Sequence, residues 1–112
     1  MGASCGDGAS SVYTVMTPFQ IDILLSLVCA PEGTRKGVVD MMKERSVPEE
    51  ARKAYETEAD QAVARRLIVR DSVGHRVLSK DIGGKYFLRE ATVTDRFINF
   101  AGNVARKFYL TD

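Results

Sequence analysis

Apolar residues recur at helical spacing through the first half of the chain. Phe19, Ile23, Leu24, Leu27 and Val28 form one such stripe and predict a helix over 18–29. Thr17 is placed to cap it, Pro18 fits the first helical position, and Gln20 can complete a capping box. Pro31 and Gly33 then end the helix. A second helix is predicted over 35–45, with Val38, Met41 and Met42 on its inner stripe and Val39 beside them. Ser46-Val47-Pro48-Glu49 is another capping-box pattern, opening a third helix over 48–66. Ala51, Tyr55, Ala59, Ala62 and Val63 share one of its faces, where the small alanines permit close helix approach. The short interval between helices 2 and 3 suits a tight corner, though it lacks the glycine such corners often carry.

The period then changes from helical to extended. Segments 67–70, 75–80 and 85–89 read as strands, separated by turn patterns at Asp71–Gly74 and Asp81–Gly84. Connections this short imply an antiparallel meander, because parallel strands need long crossovers. A last helix is capped by Thr92 or Thr94, with Asp95 in its first turn. Phe97, Ile98, Ala101, Val104, Ala105 and Phe108 make its inner stripe, which continues past Gly102. The expected class is α+β: a three-helix corner, a small antiparallel β-meander and a C-terminal helix. Residues 1–16 are expected to be a flexible leader, since residues 1–11 alone hold three glycines and three serines. Residues 17–112 then form a single domain.

Length agrees with that division: 112 residues suffice for one core and leave no room for a second domain. The net charge is only +1, but it is unevenly spread. Residues 1–64 carry 6 bases and 10 acids, and residues 65–112 carry 10 bases and 5 acids. Such segregation can build a local positive face on a nearly neutral protein. The longest apolar run is broken by Asp22 and Ser26 and falls well short of the roughly 20 residues that span a bilayer. No membrane association is therefore expected. Cys5 and Cys29 lack C-x-x-C spacing, and His75 is the sole histidine, so no zinc site is supportable. Cys29 is expected to be a small buried hydrophobe, and reduced thiols favour a cytoplasmic protein.

Patterns that resemble catalytic chemistry do not assemble. Gly83-Gly84-Lys85 is followed by Tyr86 in a strand, whereas a phosphate loop needs G-x-x-x-x-G-K-[ST] opening a helix. His75 has no carboxylate or nucleophile placed to work with it and reads as a solvent-facing hairpin residue. Glu56, Glu58 and Asp60 are spaced by two on a helix and so point around it rather than together. Met41 and Met42 read as core filling. No cofactor and no enzymatic activity are expected.

The order helix, helix, turn, helix, β-meander, helix resembles a winged helix-turn-helix domain over roughly residues 17–100. Ala64-Arg65-Arg66-Leu67-Ile68-Val69 looks like the junction where a recognition helix runs into the wing. Met16-Thr17-Pro18-Phe19-Gln20 followed by Ile23-Leu24-Leu25 is similar to the opening of small winged-helix proteins of phages and prophages, and Tyr86-Phe87-Leu88-Arg89 similarly precedes a closing helix. One departure stands out. Winged helices place a short strand between helices 1 and 2, where this chain has the turn Ala30-Pro31-Glu32-Gly33-Thr34.

The resemblance implies a small non-enzymatic protein that binds double-stranded DNA, such as a phage or prophage transcriptional regulator. Arg52, Lys53, Thr57 and Gln61 of helix 3 would read bases and phosphates. Arg35 and Lys36 would open helix 2 beside a phosphate, and Arg76, Lys80 and Lys85 would sit on the wing. Against this, Glu49, Glu50, Glu56, Glu58 and Asp60 of helix 3 outnumber Arg52, Lys53, Arg65 and Arg66, and acids near phosphates are repelled. The alternative is a module of the same shape that binds a host or phage protein without touching DNA. The closing helix offers a homodimer interface through Phe97, Phe100, Phe108 and Tyr109, with Phe97 more simply read as finishing the core.

Overall fold

A computed structural model describes residues 16–111, with side chains through Gly102. The fold is α+β. Helices α1 (Pro18–Val28), α2 (Val38–Glu44) and α3 (Arg52–Ala64, led in by a 3-10 turn Glu49–Ala51) precede strands β1 (Ile68–Asp71), β2 (Gly74–Lys80) and β3 (Tyr86–Glu90), and α4 (Val93–Thr111) follows. The strands form one antiparallel sheet in the order β1-β2-β3. The expected leader lies outside the described residues except for Met16, which packs against the core.

The start of α1 follows the local sequence. Gln20 N donates to Thr17 Oγ1 at 3.2 Å, and Thr17 N donates to Gln20 Oε1 at 3.3 Å, closing the capping box. Thr17 Oγ1 also donates to Glu58 on α3 at 2.8 Å, so one residue both starts α1 and ties it to a second helix.

The ends of α2 and α3 share a different device. Val47 N donates to Met42 O at 2.8 Å and Ser46 N to Lys43 O at 3.3 Å; Leu67 N donates to Ala62 O at 3.0 Å and Arg66 N to Val63 O at 3.1 Å. These are paired Schellman bonds, with Ser46 (φ 57°) and Arg66 (φ 56°) in the left-handed position where glycine is usual. Ser46 therefore finishes α2. It does not cap the third helix as expected, because a residue with left-handed backbone cannot also take the extended N-cap conformation. Pro48 takes that place before the 3-10 turn, with no side-chain cap.

The second helix is shorter than the predicted 35–45. Gly37 is its N-cap, and the preceding residues are extended. Lys36 forms an antiparallel bridge with Tyr86, Lys36 N donating to Tyr86 O at 3.0 Å and Tyr86 N to Lys36 O at 2.7 Å. The α1–α2 connection thus turns at Ala30–Thr34, as expected, and then touches the edge of the sheet.

One face of the sheet packs on the helices. Ile23, Leu24 and Leu27 of α1, Val38, Met41 and Met42 of α2, and Tyr55, Ala59 and Ala62 of α3 join Leu67, Val69, Leu78, Tyr86 and Leu88 in a single buried cluster. Phe19 meets Tyr55 edge-on, with ring centroids 5.7 Å apart. The hairpin turns match their sequence signals. Asp71 Oδ1 accepts from Val73 N and Gly74 N at 3.0 and 3.2 Å. Gly84 takes a positive φ of 83° that strains any residue with a side chain.

Asp95 locks the start of α4. Its N donates to Thr92 Oγ1 at 3.1 Å, and its carboxylate accepts from Thr92 N and Thr92 Oγ1 at 2.8 and 2.9 Å, settling Thr92 as the cap. Arg89 of β3 reaches the same carboxylate at 2.7 and 3.1 Å, and Arg66 at 3.2 Å. Arg89 first, and then the Thr92 amide and hydroxyl, hold the Asp95 pKa far below the usual carboxylate range. Phe97, expected to finish the core, is instead exposed. The polar contacts of Asp95 and of Asn99, whose Nδ2 donates to Arg66 O at 2.9 Å, set which side of α4 faces inward.

Two predictions follow from these contacts. Ser46→Gly relieves left-handed strain and should raise the urea midpoint, stabilising by about 0.5–1 kcal/mol with an unchanged denaturant slope. Asp95→Asn should cost about 1–3 kcal/mol at neutral pH. A depressed carboxylate contributes stability above its unfolded pKa of about 3.9 and loses it as pH falls, so the gap between wild type and Asp95→Asn should narrow below about pH 4. Urea titrations at a series of pH values measure both.

Candidate nucleic-acid interface

The residues that would have to meet DNA lie on α3, on the β2–β3 turn and before α2. Tyr55, Ala59 and Ala62 turn inward, so the 3.6-residue period sends Lys53, Thr57 and Gln61 outward at intervals of four. All three are exposed, as is Arg52, and none makes an ion pair among the described residues. The β2–β3 turn is carried toward this row by two contacts. Lys80 Nζ lies 3.1 Å from Asp60 Oδ1 on α3, and Tyr86 Oη donates to the same oxygen at 2.5 Å. Asp60 lies three residues after Thr57, about one helical turn, so the ends of β2 and β3 lie beside the outward row.

Lys85 is exposed in that turn while its backbone N donates to Asp81 Oδ1 at 2.9 Å. Arg35 leans over the Phe87 ring, 3.9 Å from its centroid, and pairs with Asp81 at 3.2 Å. The Lys85 amide first and Arg35 second lower the Asp81 pKa. Half of the Arg35 side chain remains open to solvent.

Two expected wing and helix bases are not available. Arg76 is buried, its Nε donating to Asp71 Oδ2 at 3.0 Å and its Nη2 pairing with the same oxygen. Its alternation on β2 places it on the inward face with Leu78, and only a carboxylate partner makes burial of a guanidinium tolerable. Lys36 does not open α2. It precedes the N-cap, and its Nζ donates to Ser26 O at 3.0 Å and to Glu44 at 2.5 Å. Lys36 is also the main cause of the lowered Glu44 pKa.

The acids of α3 are redistributed by the same folding. Glu58 accepts from Thr17, and Asp60 from Lys80 and Tyr86, so two of the five opposing acids are spent on internal bonds. Glu49, Glu50 and Glu56 remain exposed. Sequence spacing carried no sign of these pairings, since the partners are 20 to 41 residues apart. A cleft of about 290 Å³ at the α2–α3 corner is lined by Val39, Met42, Lys43, Val47, Glu49 and Arg52.

Cys29, expected to be buried and reduced, is exposed at the C-cap of α1 and disulfide-bonded, which removes the thiol argument for a cytoplasmic setting. His75 is exposed on β2 as expected. No described helix is long and apolar enough to cross a membrane. Phe108 and Tyr109 have side chains outside the described set.

No family model matches this chain, and neither a curated protein nor a solved structure matches it.

Removing the Arg76 head group strands the Asp71 carboxylate. Arg76→Ala should therefore cost about 3–5 kcal/mol. The double variant Arg76→Ala/Asp71→Ala should cost less than the two single losses combined. Urea unfolding of the four proteins gives the coupling, and a loss under about 0.5 kcal/mol for Arg76→Ala would place this arginine at the surface.

Proposed function

We propose that this chain is a small double-stranded-DNA-binding protein of winged-helix type, with α3 as the groove-facing helix and the β2–β3 turn as the wing. A transcriptional regulator, of phage or prophage kind, is the role this reading implies. The observation that carries it is the outward row Lys53, Thr57 and Gln61: exposed, outside every internal ion pair among the described residues, and beside Asp60, to which Lys80 at the end of β2 is bound. The Lys36–Tyr86 bridge also supports the reading, because it supplies the strand contact between helices 1 and 2 that the sequence lacked. In this arrangement Thr57 and Gln61 offer hydrogen bonds to base edges, and Arg52, Lys53 and Lys85 neutralise phosphates, with Arg35 at the margin. Arg76 and Lys36 have no part in it.

A second reading rests on Glu49, Glu50 and Glu56, which stay exposed around the start of α3. They suit a basic protein surface better than a phosphate backbone, and the same corner then serves as a protein-docking module.

A salt titration of duplex affinity separates the two. Three or four neutralised phosphates predict that log affinity falls against log salt with a slope of about −3 to −4. Lys53→Ala and Lys85→Ala should each weaken binding to every duplex and reduce that slope by about 1. Lack of binding to mixed duplexes at low salt, or unchanged slopes in both variants, overturns the DNA reading.

A further inference from the structure

Cys29 stands exposed at the C-cap of α1, and its sulfur is held in a disulfide. The chain has one other cysteine, Cys5. A bond made within the chain therefore has a single candidate partner, and that partner lies among residues 1–15, outside the described residues. We infer that Cys5 and Cys29 form a reversible redox strap, which ties residues 5–16 back along α1 when oxidised and releases them when reduced.

Chain length favours this pairing. Thr17 is a fixed point, because it caps α1 and bonds Glu58 on α3 at 2.8 Å. From Cys5 to Thr17 is 12 residues, and from Thr17 to Cys29 is another 12. The second span is α1 with its caps, about 18 Å at 1.5 Å per residue. The first is rich in glycine and serine, and a coil of that composition has a root-mean-square reach of about 19 Å over this length. Effective concentration is greatest where reach matches span, and it lies in the millimolar range for short tethers. A second chain at micromolar concentration cannot compete, so closure within the chain wins over a Cys29–Cys29 dimer.

The same lengths make the strap reversible. Cys29 lies outside the buried cluster, so opening its disulfide unpacks no core side chain. In the folded protein a 12-residue tether closes across a fixed span; in the unfolded chain the bond closes a 25-residue ring. Closure entropy grows only with the logarithm of length, so the two costs are similar and the bond adds little to the stability of the fold. Closure needs a disulfide oxidant, of which glutathione disulfide is the simplest. One cysteine thiolate attacks an oxidant sulfur and expels a thiolate, leaving a mixed disulfide. The other cysteine thiolate attacks the protein sulfur of that bond and expels the second. The two protein thiols lose two electrons and two protons, and the oxidant leaves as two thiols. None of this depends on whether DNA is bound.

The test is the full chain equilibrated with glutathione disulfide, its free thiols then alkylated with iodoacetamide. After unfolding and digestion with chymotrypsin, mass spectrometry should find the peptide carrying Cys5 joined to the peptide carrying Cys29, and dithiothreitol should part them. In Cys5→Ser, Cys29 should be alkylated instead. Urea midpoints of the oxidised chain, the reduced chain and Cys5→Ser should nearly coincide, with the same far-UV circular dichroism. Alkylation of both cysteines in the oxidised wild type overturns the inference, as does a covalent Cys29–Cys29 dimer as the main product. A midpoint that falls by about 1 M urea or more on reduction also overturns it, because the bond is then a staple of the core rather than a strap.

Discussion

Tyr86 holds the two halves of this protein together. Its ring is 1% exposed in the common core, its backbone pairs with Lys36 before α2, and its hydroxyl donates to Asp60 on α3. Burial first, and then the Asp60 carboxylate, push its phenol pKa upward, so it stays a hydrogen-bond donor wherever the fold persists. One residue thus connects the sheet to the α1–α2 connection and to the helix that carries the candidate interface. The β2–β3 turn sits beside α3 because Tyr86 and Lys80 converge on the same aspartate oxygen.

That convergence has an electrostatic consequence. Bases and acids neutralise one another within the fold: Arg76 with Asp71, Lys36 with Glu44 and Arg89 with Asp95 at short sequence separations, and Arg66 with Asp95 across a long one. Charges used in this way contribute little field to the surface. Pairing cancels bases and acids one for one, so it leaves the basic excess of residues 65–112 in place and changes only which side chains carry it. What solvent meets is a smaller set, in which Arg52, Lys53 and Lys85 face Glu49, Glu50 and Glu56.

The closing helix is governed by the same preference for satisfied charge. An amphipathic helix normally turns its apolar stripe inward. In α4 the buried carboxylate of Asp95, already serving as capping-box partner to Thr92 and as acceptor for two arginines, fixes the opposite orientation. Leaving that carboxylate unpaired would cost more than exposing two phenylalanine rings.

Local patterns determined the class, the order of elements, the three-stranded meander and the α1 cap, because apolar period, capping chemistry and turn residues act over a few positions. Tyr55, Ala59 and Ala62 were legible as the inner face of α3 for the same reason, and its outward row followed from them. The end of α2 was misread at Ser46, where a left-handed serine imitates an N-cap in sequence. Which bases are free, which side of α4 faces out and where Lys36 pairs were decided only by tertiary structure. Each depends on a partner brought close by folding, and the cost of burying a charge without its counter-charge outweighs any preference written into the neighbouring residues.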